Sequence, residues 1–100
     1  MKIEQTALVG TLESSDVQIT LSQGSGGIDM LLDSEVAAEY GDQIKAVVQQ
    51  VLDAYGIADA TVQIVDKGAL DCTIRARATA AVQRAIGKPN DPEWEVIAHV

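Results

Sequence analysis

The sequence predicts an α+β fold: a two-layer sandwich in which helices cover one face of a mostly antiparallel sheet. Two observations carry this prediction. Short apolar stretches alternate with polar residues at the period of a half-buried strand, as in Val17, Ile19 and Leu21 against Gln18, Thr20 and Ser22. Between such stretches, Val36, Tyr40, Ile44, Val47, Val48, Val51, Leu52 and Tyr55 step by three or four residues, which places them on one helical stripe. Strands and helices then follow in the order β-β-β-α-β-β-α, and packed layers are the way such elements bury their apolar faces.

Met1 to Thr6 is polar and is expected to fray. Residues 7–12 and 17–22 form a hairpin, with the acidic and small residues Glu13, Ser14, Ser15 and Asp16 as its turn. Gly24 to Gly27 is a glycine-rich connection; no Lys-Ser/Thr follows it, so a linker fits better than a phosphate cradle. Ile28, Met30 and Leu32 alternate with Asp29 and Asp33 as a third strand, although Leu31 interrupts the pattern. The long helix follows, with Asp33 or Ser34 as its cap and Gly56 as its stop. Gly41 lies inside it at a cost of about 1 kcal/mol relative to Ala.

Ala60 to Val65 reads as a fourth strand and Asp66-Lys67-Gly68 as a tight turn. Leu70, Cys72 and Ile74, alternating with Asp71, Thr73 and Arg75, read as a fifth strand with Cys72 in the core as an inert thiol. From about Ala76 the alanine-rich run is helix-forming and stops at Gly87. Lys88 to Pro92 breaks structure. The chain therefore divides into a domain over residues 1–87 and a tail over 88–100 that carries Trp94, Val96, Ile97 and Val100.

Length and composition bound the function. One hundred residues with 47% apolar content suit a single core. The formal charge of −8 repels nucleic-acid phosphates and leaves a surface suited to basic patches of protein partners or simply to solubility. A single cysteine forms no internal disulfide, no basic-then-apolar leader opens the chain, and no apolar run approaches the ~20 residues of a membrane span. A cytoplasmic protein is the expectation.

No catalytic constellation is legible. A serine nucleophile needs a base within reach, and the single histidine, His99, lies in the tail. Exposed carboxylates such as Glu13 and Asp16 make weak bases at neutral pH. Asp29 and Asp33 are too few for a cation site, and one His with one Cys is too few for zinc. The residues alone leave Ser14 and Ser15 as turn hydroxyls reachable by an outside enzyme.

Two blocks add a resemblance. Gly10-Thr11-Leu12-Glu13-Ser14-Ser15-Asp16, and Asp66-Lys67-Gly68-Ala69-Leu70-Asp71-Cys72 running into Arg75-Ala76-Arg77, resemble in order and spacing the acyl carrier protein (γ subunit) of citrate lyase. The similarity runs through about residue 86. The resemblance implies a non-catalytic carrier. Its prosthetic group would be 2'-(5''-phosphoribosyl)-3'-dephospho-coenzyme A, joined through a phosphodiester to the serine after Leu-Glu, which here is Ser14, with Ser15 in reserve. The thiol of that arm holds acetyl or citryl while citrate is cleaved to acetate and oxaloacetate. The implied partners are the citrate lyase α and β subunits, in a hetero-oligomeric complex, and the enzyme that attaches the prosthetic group. Arg75, Arg77 and Arg84 are candidate contacts for partners or for arm phosphates, or are plain surface charges. Glu13 and Asp16 would repel arm phosphates and keep the arm extended. The alternative reading is a small non-catalytic α+β ligand-binding or regulatory domain with Ser14 a turn residue.

Overall fold

The computed structural model describes residues 3–87. Strands β1 (Ala7–Val9), β2 (Val17–Ser22), β3 (Ile28–Ser34) and β4 (Ala60–Asp66) form one sheet in the order β1-β2-β4-β3. The β1–β2 and β2–β4 pairs are antiparallel, whereas β3 and β4 run parallel, joined through helix α1 (Ala37–Ala54). Helix α2 (Asp71–Ala85) closes the described chain. The α+β sandwich expected from the sequence is the architecture observed.

Alternation explains which face is covered. Ala7, Val9, Val17, Ile19, Leu21, Ala60, Val62 and Ile64 are buried beneath the helices. Across the open face, Leu8, Thr20, Gln63 and Leu31 lie in register. Leu31, which interrupts the alternation of β3, is 61% exposed there and leaves the inward set of Ile28, Met30 and Leu32 intact. Helix α1 inserts Ile44, Val47, Val48, Val51 and Leu52, the centre of the expected stripe, and Gly56 leaves it at φ +67°. Tyr40, from the same stripe, stays 55% exposed. No side chain caps the first turn of α1; the Ser34 hydroxyl instead accepts from the Val36 N–H at 3.2 Å.

Two expectations are corrected. Residues 70–75 are not a fifth strand but the entry to α2. Strand β4 is already paired on one edge with β2 and on the other with β3, so a hairpin partner would find no free ladder. Ile74 starts a helical stripe with Ala78, Ala81, Val82 and Ala85, all buried. Six alternating residues fit either period, and the longer stripe decides. In consequence Cys72 is exposed rather than in the core, and Leu70 is 71% exposed.

The start of the described chain is also anchored rather than frayed. Ile3 is buried, and the Glu4 and Gln5 N–H groups both donate to the Ala85 carbonyl, at 2.9 and 3.1 Å. The expected tail over 88–100, with Trp94 and His99, lies outside the described residues.

Candidate functional site

The β1–β2 connection is built around one carboxylate. Asp16 Oδ2 accepts from the Thr11 hydroxyl at 2.6 Å and from the Thr11 N–H at 3.1 Å. Its Oδ1 accepts from the Val17 N–H at 2.7 Å. Arg77, reaching across from α2, donates Nε to Oδ1 at 3.1 Å and Nη2 to Oδ2 at 3.2 Å. This is a two-pronged match of guanidinium to carboxylate. The Thr11 hydroxyl passes the order on by accepting from the Glu13 N–H at 3.2 Å. Together the Thr11, Arg77 and Val17 donors hold the Asp16 carboxyl well below the usual carboxylate range.

Within this frame, residues 13–16 make a β-turn. The Asp16 N–H donates to the Glu13 carbonyl at 3.2 Å, and Ser15, at the third position, has φ +65°. A positive φ there alone marks a type II turn, in which the second position, Ser14, sits at the apex. The turn is tied to the sheet on its far side: Ser15 N–H donates to the Lys67 carbonyl at 2.8 Å, and Lys67 N–H to the Asp16 carbonyl at 2.9 Å. Gly10 makes the return possible. At φ +96° its Cα lies so close to the next strand that a Cβ would fall 1.9 Å from the Val17 carbonyl oxygen.

Ser14 and Ser15 are both exposed. Among the described residues no group hydrogen-bonds the Ser14 hydroxyl. The apex is therefore a rigidly mounted, reachable alcohol, and no histidine stands near it among the described residues. The described residues hold no cluster of His, Cys, Asp and Glu arranged for a metal.

The three arginines singled out from the sequence do not converge. Arg77 belongs to the turn. Arg75 faces α1, where Nη2 donates to Gln50 Oε1 at 2.9 Å. Arg84 is exposed near the other end of α2, about 20 Å along the helix from its start. The expected repulsion of arm phosphates by Asp16 is also corrected, because Arg77 balances its charge; of the two carboxylates flanking Ser14, Glu13 remains.

Sequence reasoning missed a cleft beside the turn. It has a volume of about 450 Å³ and lies between the first turns of α1 (Val36, Tyr40, Gln43, Ile44) and the segment Gly68–Asp71 that leads into α2. Asp66, 2% exposed, forms part of its wall. Its Oδ2 accepts from the Ser34 hydroxyl and its Oδ1 from the Ala69 N–H, both at 2.9 Å. The signal was present: Asp66 continues the inward parity of Val62 and Ile64, which a turn residue has no reason to keep.

Comparison with known proteins now bears on this geometry. A family model described as "ACP: Malonate decarboxylase delta subunit (MdcD)" matches residues 4–85. Proteins named citrate lyase acyl carrier protein from Weissella paramesenteroides and Leuconostoc citreum are each 56% identical over 97 residues, covering 97% of this chain and all of theirs. The chain belongs to the citrate lyase acyl carrier protein family. A protein of the same name from Lactococcus lactis is 55% identical over the same length. Membership makes this a carrier chain rather than a catalytic one. The sandwich also resembles part of the crystal structure of homoserine kinase from Cytophaga hutchinsonii, with a TM-score of 0.57 at 10% identity, over 92% of this chain and 37% of that one. At that identity the likeness concerns the fold alone. No helix of the described residues is long and apolar enough to cross a membrane.

Proposed function

We propose that this chain is the acyl carrier subunit of a citrate lyase, with 2'-(5''-phosphoribosyl)-3'-dephospho-coenzyme A joined through a phosphodiester to Ser14. The observation that carries the reading is the apex hydroxyl: exposed, without a hydrogen-bond partner among the described residues, and held by the Asp16–Arg77 network. When bound, the arm supplies a thiol that holds acetyl or citryl as a thioester while citrate is cleaved to acetate and oxaloacetate.

The chain's own residues mount and present that arm. Asp16, Thr11 and Arg77 fix the turn, so an attaching enzyme meets one preformed shape and loses little entropy in ordering it. Ser15, at positive φ, commits its N–H to the Lys67 carbonyl and so ties the turn to the end of β4. Among the described residues no histidine or cysteine adjoins Ser14 in the turn to take the acyl group from the arm. Tethering raises the concentration of the acyl group at each partner active site. Those partners are the α and β subunits of a hetero-oligomeric cytoplasmic complex, with Arg75 and Arg84 as candidate docking charges.

Intact mass tests the reading. Chain isolated from active lyase of citrate-fermenting cells carries one adduct of the arm's mass; Ser14→Ala loses it and Ser15→Ala keeps it. An unmodified mass in active lyase would overturn the reading.

A further inference from the structure

We propose that the cleft beside the attachment turn seats the purine base of the arm, so that the root of the arm is docked and its pyrophosphate and thiol end project outward. This rests on Ser14 carrying a dephospho-coenzyme A arm.

Position is the first argument. The Ser15 N–H is 2.8 Å from the Lys67 carbonyl, and the next residue, Gly68, already lines the cleft. With about 3.8 Å between successive Cα atoms, the cleft wall begins within about 10 Å of the Ser14 backbone. Along the arm, the purine is the first planar apolar unit and stands two riboses beyond the phosphate at Ser14, still far nearer the root than the thiol end. The thiol end, far longer in reach, has no need of a site so close to the root.

Chemistry is the second. The volume of about 450 Å³ falls within the ~300–1,000 Å³ of small-molecule sites. Val36, Ile44 and Leu70 give apolar walls, and the half-exposed Tyr40 ring offers a stacking surface. The polar groups are acceptors in the main. Each oxygen of Asp66 takes one internal hydrogen bond and keeps a further lone pair. Asp71 Oδ2 accepts from Gln43 Nε2 at 2.8 Å, and among the described residues no donor engages Oδ1.

Charge is the third. Among the described residues, two carboxylates and no cation line the cleft, so phosphates and a citryl group are repelled, whereas a neutral base with an exocyclic amino donor is matched.

The test uses isotopically labelled chain loaded by the attaching enzyme, with one adduct confirmed by intact mass. The proposal expects nuclear Overhauser contacts from the purine protons to the Tyr40 ring and the Ala69 methyl group, with shifted amides over 68–71. Loaded Tyr40→Ala should fold normally, since Tyr40 is exposed, and weaken both signals. An adduct on Ser14 with unshifted cleft amides and no purine contacts would overturn the docking and leave the carrier reading intact. Absence of any adduct after loading would overturn both.

Discussion

Asp16 and Arg77, 61 residues apart in the chain, meet edge to edge, with Nε 3.1 Å from Oδ1 and Nη2 3.2 Å from Oδ2. One ion pair thus joins the turn that carries Ser14 to the middle of α2. The Asp16 side chain is 13% exposed and that of Arg77 41%, so the carboxylate is largely covered by its donors while the guanidinium still meets water.

This pair sets a pH dependence. An unfolded Asp takes up its proton near about pH 3.9, whereas the folded Asp16 resists protonation until far lower. Between those limits the unfolded state binds more protons, so acid favours unfolding. The contribution is complete above about pH 5 and is lost as pH falls through about 4 and below. Thermal melts from pH 7 to pH 2 should therefore fall more steeply for the wild type than for Asp16→Asn; parallel curves would contradict this origin.

The close approach at Gly10 predicts a large cost for a single methyl group. Gly10→Ala adds a Cβ at 1.9 Å from the Val17 carbonyl, on a backbone at φ +96°. We expect a loss of at least about 2 kcal/mol in urea unfolding, because both the strained φ and the backbone clash must be relieved. The displaced turn should also slow loading of Ser14.

The reverse holds at Gly41. It is buried in α1 without a positive φ, and an added Cβ would meet Leu32 Cδ2 at 3.5 Å and Ala37 Cβ at 3.7 Å, ordinary contact distances. Gly41→Ala should stabilise the fold by about 0.5–1 kcal/mol, read as a raised urea midpoint at unchanged slope.

Much of this was legible in the residues, and the failures have a shared cause. The alternation of β2 and the stripe of α1 are local periods, and both elements formed where those periods ran. The turn at Ser14 was legible from its residue types. Its mounting was not, because Arg77 reaches Asp16 only once α2 lies over β1 and β2. The fifth strand failed for the same reason: whether residues 70–75 pair or coil depends on the edges of β4, both filled by strands distant in sequence. The anchoring of Ile3 to Gln5 on the Ala85 carbonyl is likewise non-local.

Ser15 offers a further check. Its φ of +65° costs a non-glycine residue energy that glycine avoids. Ser15→Gly should keep or slightly raise the melting temperature and should load as the wild type does. Loss of loading in that variant would move the attachment chemistry away from Ser14.

The most direct measurement is a fragment-ion map of the tryptic peptide 3–45, which contains Ser14 and Ser15 among its five serines, taken from active lyase. The carrier account predicts that the mass of the arm appears between residues 13 and 14 and at no other step along that peptide. An adduct first appearing at Ser15 or beyond, or a bare peptide from active enzyme, would contradict it.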